Sequence, residues 1–154
     1  MRPVILTLAT RSYLPGLAAL INSLRQQIET LEYVFLTGAK TNTYGQMFEQ
    51  ARALEQTLDR IEEPVYNRAA AGDSKAYLHR LSPLHDRAVR LLETIESGYA
   101  QRPTEASLEE MARLKREAAE QQRLFDDFAR KDLAAFNQAA AASGVSQLFV
   151  PGVQ

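Results

Sequence analysis

The chain has 154 residues, 45% of them apolar and 24% charged, with a net charge of -1. This suits one domain with a continuous core, and it gives no global field that would favour nucleic acid or an acidic membrane. Cysteine is absent, which excludes disulfides, thiolate metal sites and a cysteine nucleophile together.

Residues 1–13 open with a β-branched run, Val4-Ile5-Leu6-Thr7-Leu8. The run is too short for a membrane span, and Arg11 ends it too early for a signal peptide. It reads as an N-terminal arm lying on a helical bundle. A strand is the alternative, and its available partner is Leu148-Phe149-Val150.

The first helix is predicted from Pro15 to Leu36. Leu14, Leu17, Ile21, Leu24, Ile28, Leu31 and Phe35 alternate in steps of three and four, the rhythm of one helix face. Proline fits the first turn, and Gly38 is the natural stop. A second helix follows, capped by Asn42 or Thr43. It carries Met47, Ala51, Leu54, Leu58 and Ile61 and ends before Pro64.

Residues 64–81 carry no clear period. A third helix starts at Ser82-Pro83 and runs through Leu84, Ala88, Leu91, Leu92 and Ile95 to Gly98. Thr104 caps the fourth helix. Its apolar side comprises Met111, Leu114, Ala118, Gln121, Leu124, Phe125, Phe128, Ala135 and Phe136, and Gly144 ends it. At ~38 residues it would be ~57 Å long, so one end overhangs or bends.

The expected fold is therefore all-α: an antiparallel up-down four-helix bundle over 14–145, with the arm before it and a C-terminal tail over 146–154. The core is expected at Leu17, Ile21, Leu24, Ile28, Leu31, Leu54, Leu58, Ile61, Leu91, Ile95, Leu114, Leu124 and Phe128.

The residues offer little chemistry. His79 and His85 stand six apart across Pro83 and do not share a helix face, so no metal site is expected. Glu62-Glu63 and Asp126-Asp127 are adjacent carboxylates that diverge by about 100 degrees on a helix and cannot converge on one substrate atom. Ser74, Ser82 and Ser107 have no nucleophile-elbow setting, and the glycines form no phosphate loop. Arg87, Arg90, Arg113 and Arg116, with Lys115, form a candidate basic surface for an acidic protein partner; the alternative is ordinary surface pairing with the neighbouring acids Asp86, Glu109, Glu110 and Glu117.

Two resemblances stand beside this reading. The runs Leu58-Asp59-Arg60-Ile61-Glu62-Glu63-Pro64, Leu81-Ser82-Pro83-Leu84-His85-Asp86-Arg87, Arg102-Pro103-Thr104 and Asp132-Leu133-Ala134-Ala135-Phe136-Asn137 resemble the helical tail of bacterial sortilin-like (VPS10/BNR-repeat) glycosyl-hydrolase-type proteins. In those proteins the helices follow a β-propeller, and no propeller precedes them here. The resemblance spans roughly 47–145 and implies a helical, non-catalytic accessory module. A shorter stretch, Val4 to Thr10 with Tyr13-Leu14-Pro15-Gly16-Leu17 and Ser23-Leu24-Arg25, is similar to the opening of nucleotide-sugar glycosyltransferases. Those enzymes use an Asp-x-Asp metal motif, which this chain lacks, and a sheet for which it has no room.

The expected function is a non-catalytic helical interaction or scaffold module, with no cofactor and with a protein partner or a second copy as its target. Nucleic acid is not expected as a partner. A small-ligand sensor bundle is the alternative, with Gln121 and Tyr77 as candidate buried polar groups, and a glycosyltransferase fragment is the remote one. The compartment is expected to be aqueous, cytoplasmic or periplasmic.

Overall fold

The computed structural model describes residues 14–38, 41–66, 84–97 and 103–151. The elements are α1 (Leu14–Thr37), α2 (Thr41–Glu62), α3 (Leu84–Ser97), α4 (Glu105–Phe128), a π-helical turn (Ala129–Leu133) and α5 (Ala134–Ala142). The class is all-α with four main helices, since α4, the π turn and α5 form one uninterrupted helical run. The described residues contain no strand, and none of their helices is long and apolar enough to cross a membrane. The N-terminal arm, His79, Tyr77 and Ser82 lie outside the described residues.

Two compact units are formed, one from 1–18 and 61–123, the other from 19–60 and 124–154. In the second, α1 and α2 run antiparallel. Arg25 meets Asp59 at 2.5 Å, and near the opposite end the rings of Phe35 and Tyr44 lie 5.5 Å apart. At Gly38, after the last turn of α1, a Cβ would collide with the Tyr44 ring and the Val34 carbonyl. The α1 stripe of Ile21, Leu24, Ile28, Leu31 and Phe35 is buried, as are Met47, Ala51, Leu54 and Leu58 of α2. The three-four spacing thus places these apolar side chains inside, each removal of a Leu, Ile, Met or Phe from water worth roughly 1.5–3 kcal/mol. Helix α2 begins at Thr41, so Asn42 and Thr43 sit within its first turn and do not precede it as caps.

In the other unit, α2 ends before Pro64 and passes its last turn to α3. The amides of Leu84 and His85 donate to the carbonyls of Pro64 and Val65 at 3.0 and 3.4 Å. Backbone carbonyls therefore satisfy two of the first-turn N–H groups of α3. At the start of α4, Thr104 caps as expected, its Oγ1 accepting the Ser107 amide at 3.2 Å.

The long helical run hides a register change. Leu114, Ala118, Phe125 and Phe128 are buried in steps that fit a straight helix. Continued at three and four, the stripe would pass through 132, 135 and 139. The buried residues are instead Ala129, beside Phe128, and then Leu133, Phe136 and Ala140. The π turn inserts one residue between Phe128 and Leu133, so Asp132 stays outside. This is how a helix of that length keeps its apolar side inward.

Two expected core residues are corrected. Leu124 is exposed, because the stripe runs through its neighbour Phe125, about 100 degrees away. Ile95 is half-buried, one turn from the end of α3. The other expected core positions are all buried. At Gly144, φ is +68°, and Val145 N donates to Ala140 O at 2.8 Å while Gly144 N donates to Ala141 O at 3.3 Å. This is a Schellman ending that glycine adopts without strain.

Candidate interaction site

The basic cluster expected around Arg87 is built in the unit containing α3. Arg87 on α3 donates through Nε to Glu110 Oε1 at 3.0 Å. Its two terminal nitrogens reach Glu117 at 2.7 and 3.1 Å. Glu110 and Glu117 lie seven apart, two turns along one face of α4, and so grip the guanidinium together. The hydrogen bonds to Glu117 and Glu110 raise the Arg87 pKa, against the opposing effect of burial. Arg113 joins through Glu110 at 3.2 Å. Arg87 is thus bound up in a carboxylate network, whereas Lys115 and Arg116 are exposed.

His85 lies against Tyr66, ring centroids 4.8 Å apart, with Nδ1 3.5 Å from Asp86. Glu62 is buried while Glu63 is exposed, so that pair diverges as expected. Arg130 donates to Asp127 at 3.4 Å and to the carbonyl of Asp126 at 3.3 Å. Among the described residues no three His, Cys, Asp or Glu side chains could hold a metal ion.

Polar groups inside the units are more informative. Gln121, expected as a buried polar group, is half-buried with its Oε1 enclosed and without a hydrogen-bond partner. Glu32 on α1 has an enclosed Oε1 in the same condition. Burial raises its pKa, and the charge of Glu55 raises it further, partly offset by Arg52. A shallow groove of about 380 Å³ lies over Leu54 and Phe136, edged by Gln50, Thr57 and Asp132.

Among the described residues, three exposed large apolar side chains fall together at the C-terminal end of α1. Tyr33 is 70%, Val34 42% and Leu36 73% exposed within four consecutive residues. Tyr33 and Leu36 are three apart and share one face of the helix.

Residues 145–151, at the start of the expected tail, pack on the unit they leave. Leu148 and Val150 are buried, and Phe149 between them is 64% exposed. This alternation is that of an extended chain. Two side-chain amides hold it. Asn137 donates Nδ2 to Leu148 O at 2.8 Å and accepts Leu148 N on Oδ1 at 2.7 Å. Gln27 donates Nε2 to Phe149 O at 2.9 Å and accepts Phe149 N on Oε1 at 2.8 Å. Both N–H groups are therefore taken by side chains of α1 and α5. No sequence pattern marks this clamp: Gln27 and Asn137 are 110 residues apart in a chain rich in amides.

Comparison with known protein families, curated proteins and solved structures gives no match.

Proposed function

We propose that the protein is a non-catalytic helical interaction module that self-associates through the exposed apolar end of α1. The exposure of Tyr33, Val34 and Leu36 in one short stretch carries this reading. Burying such residues against a partner is favourable, and tyrosine is enriched in interface cores from which charge is depleted. A two-fold contact between copies uses the same patch twice and needs no second protein. The resemblance to a helical accessory module agrees with this reading. Light scattering coupled to size exclusion tests it, with Tyr33→Glu/Leu36→Glu as the control. Association that this double variant abolishes supports the proposal, and a monomer at every concentration contradicts it.

A sensor bundle is the second reading, favoured by the enclosed and unpartnered Oε1 of Gln121. A ligand that donates to that oxygen would remove the desolvation cost of leaving it unpaired. Thermal-shift screening tests this, because a ligand of the native state must raise stability.

A further inference from the structure

The Gln27–Asn137 clamp is a site for an extended peptide, and its present occupant is the chain's own C-terminal segment. A carboxamide offers one acceptor and two donors, the same groups a backbone peptide offers to a neighbouring strand. Asn137 and Gln27 serve two successive residues, each through a donated and an accepted hydrogen bond of 2.7 to 2.9 Å. The pattern is that of strand addition: main-chain bonds hold the peptide and alternate side chains enter apolar sites. Leu148 and Val150 are the inserted side chains, at 4% and 3% exposure.

Nothing in this recognition requires the segment to belong to the same copy. It needs an extended backbone and apolar side chains two residues apart. The segment hangs from Gly144, where the helix has already ended, and only Val145, Ser146 and Gln147 separate that hinge from Leu148. The bonds between Gln27 and Phe149 are open to solvent.

We infer that the clamp accepts the Leu148-Phe149-Val150 segment of a second copy, so that copies exchange C-terminal segments. A second copy supplies both inserted side chains in the required spacing, and exchange of an identical element is an inexpensive route to dimers. Gln27 and Val34 are seven apart and lie on one stripe of α1, while Tyr33 and Leu36 lie on a different face. The inference rests on the self-association reading and names the element that links the copies.

The test uses a fluorescent peptide of residues 146–152, Ser-Gln-Leu-Phe-Val-Pro-Gly, titrated with full-length protein and followed by anisotropy. In the wild type the tethered segment competes at an effective concentration on the order of mM. Leu148→Asp/Val150→Asp empties the clamp and is expected to bind the peptide at least about tenfold more tightly than wild type, a ratio set by that competition. Adding Gln27→Ala and Asn137→Ala should weaken binding again by about tenfold or more, since four hydrogen bonds are lost. Leu148→Ala, a milder release, should fall between wild type and the double aspartate variant and serves if the latter does not fold. Failure of the released chain to bind, or binding unchanged without the two amides, overturns the inference. If the wild type associates and the peptide still does not bind, tail exchange is wrong and association through the α1 patch stands. If the peptide binds while the wild type stays monomeric, exchange between copies is overturned together with self-association.

Discussion

Arg87 and Glu117 meet through two parallel hydrogen bonds of 2.7 and 3.1 Å, joining α3 to α4. Glu110 occupies the remaining Nε donor of the same guanidinium at 3.0 Å. Planar bidentate geometry of this kind is specific to arginine. Arg87→Met should cost about 1–3 kcal/mol in urea unfolding, because the part-buried Glu117 loses its two donors and Glu110 keeps only Arg113. Arg87→Lys should recover only part of the loss, since an ammonium cannot form the fork. Equal stability of the lysine variant and wild type would show that the fork contributes nothing.

The π turn predicts an asymmetry between neighbours. Leu133 is buried and Asp132 is exposed. Leu133→Ala should therefore cost about 2–4 kcal/mol, as for a truncated core leucine. Asp132→Ala should stay within about 0.5 kcal/mol of wild type, as surface changes do. A straight helix with an unbroken heptad would bury position 132, and the two variants would then exchange roles in thermal denaturation.

Glu32 makes stability depend on pH. Its folded pKa is raised, first by burial and then by Glu55, so between the unfolded and folded values the native state binds the extra proton. The contribution of the protonated group is fully present below the unfolded pKa and is lost as pH rises through the folded one. Glu32→Gln should therefore be more stable than wild type at neutral pH, with the advantage shrinking as pH falls through the raised folded value to the ordinary glutamate range and constant below it. A pH series of denaturant midpoints checks this. A difference that is flat with pH would assign the effect to packing.

Gly144 should resist substitution. At φ +68° an alanine is strained, so Gly144→Ala should lower stability by about 1 kcal/mol. Because this glycine also aims the C-terminal segment at the clamp, the variant should show faster amide exchange at Leu148 and Phe149. Unchanged exchange there would separate the helix cap from docking of the segment.

Much of this fold is legible in the residues. The stripe from Leu17 to Phe35, Pro64 after α2, Thr104 at the start of α4 and Gly144 at the end of α5 each act through local geometry, which a sequence displays directly. The π turn left a weaker trace. Ala129 is buried beside Phe128 and lies four before Leu133, so the spacing passes without a visible break, and Ala135 beside Phe136 lets a straight stripe pass as well. Leu124 misled for the same reason, since adjacent apolar residues compete for one inward position. The Gln27–Asn137 clamp was not legible at all. An amide carries no periodicity, and its role depends on two distant helices meeting one segment.

The central claim is that the exposed end of α1 is where copies meet. Multi-angle light scattering of the full-length chain over roughly 1–100 µM spans the range in which standard-size contacts form. The account predicts a mass that rises with concentration in the wild type and stays that of one chain for Tyr33→Glu/Leu36→Glu. A wild-type mass of one chain throughout, indistinguishable from the double variant, would contradict it.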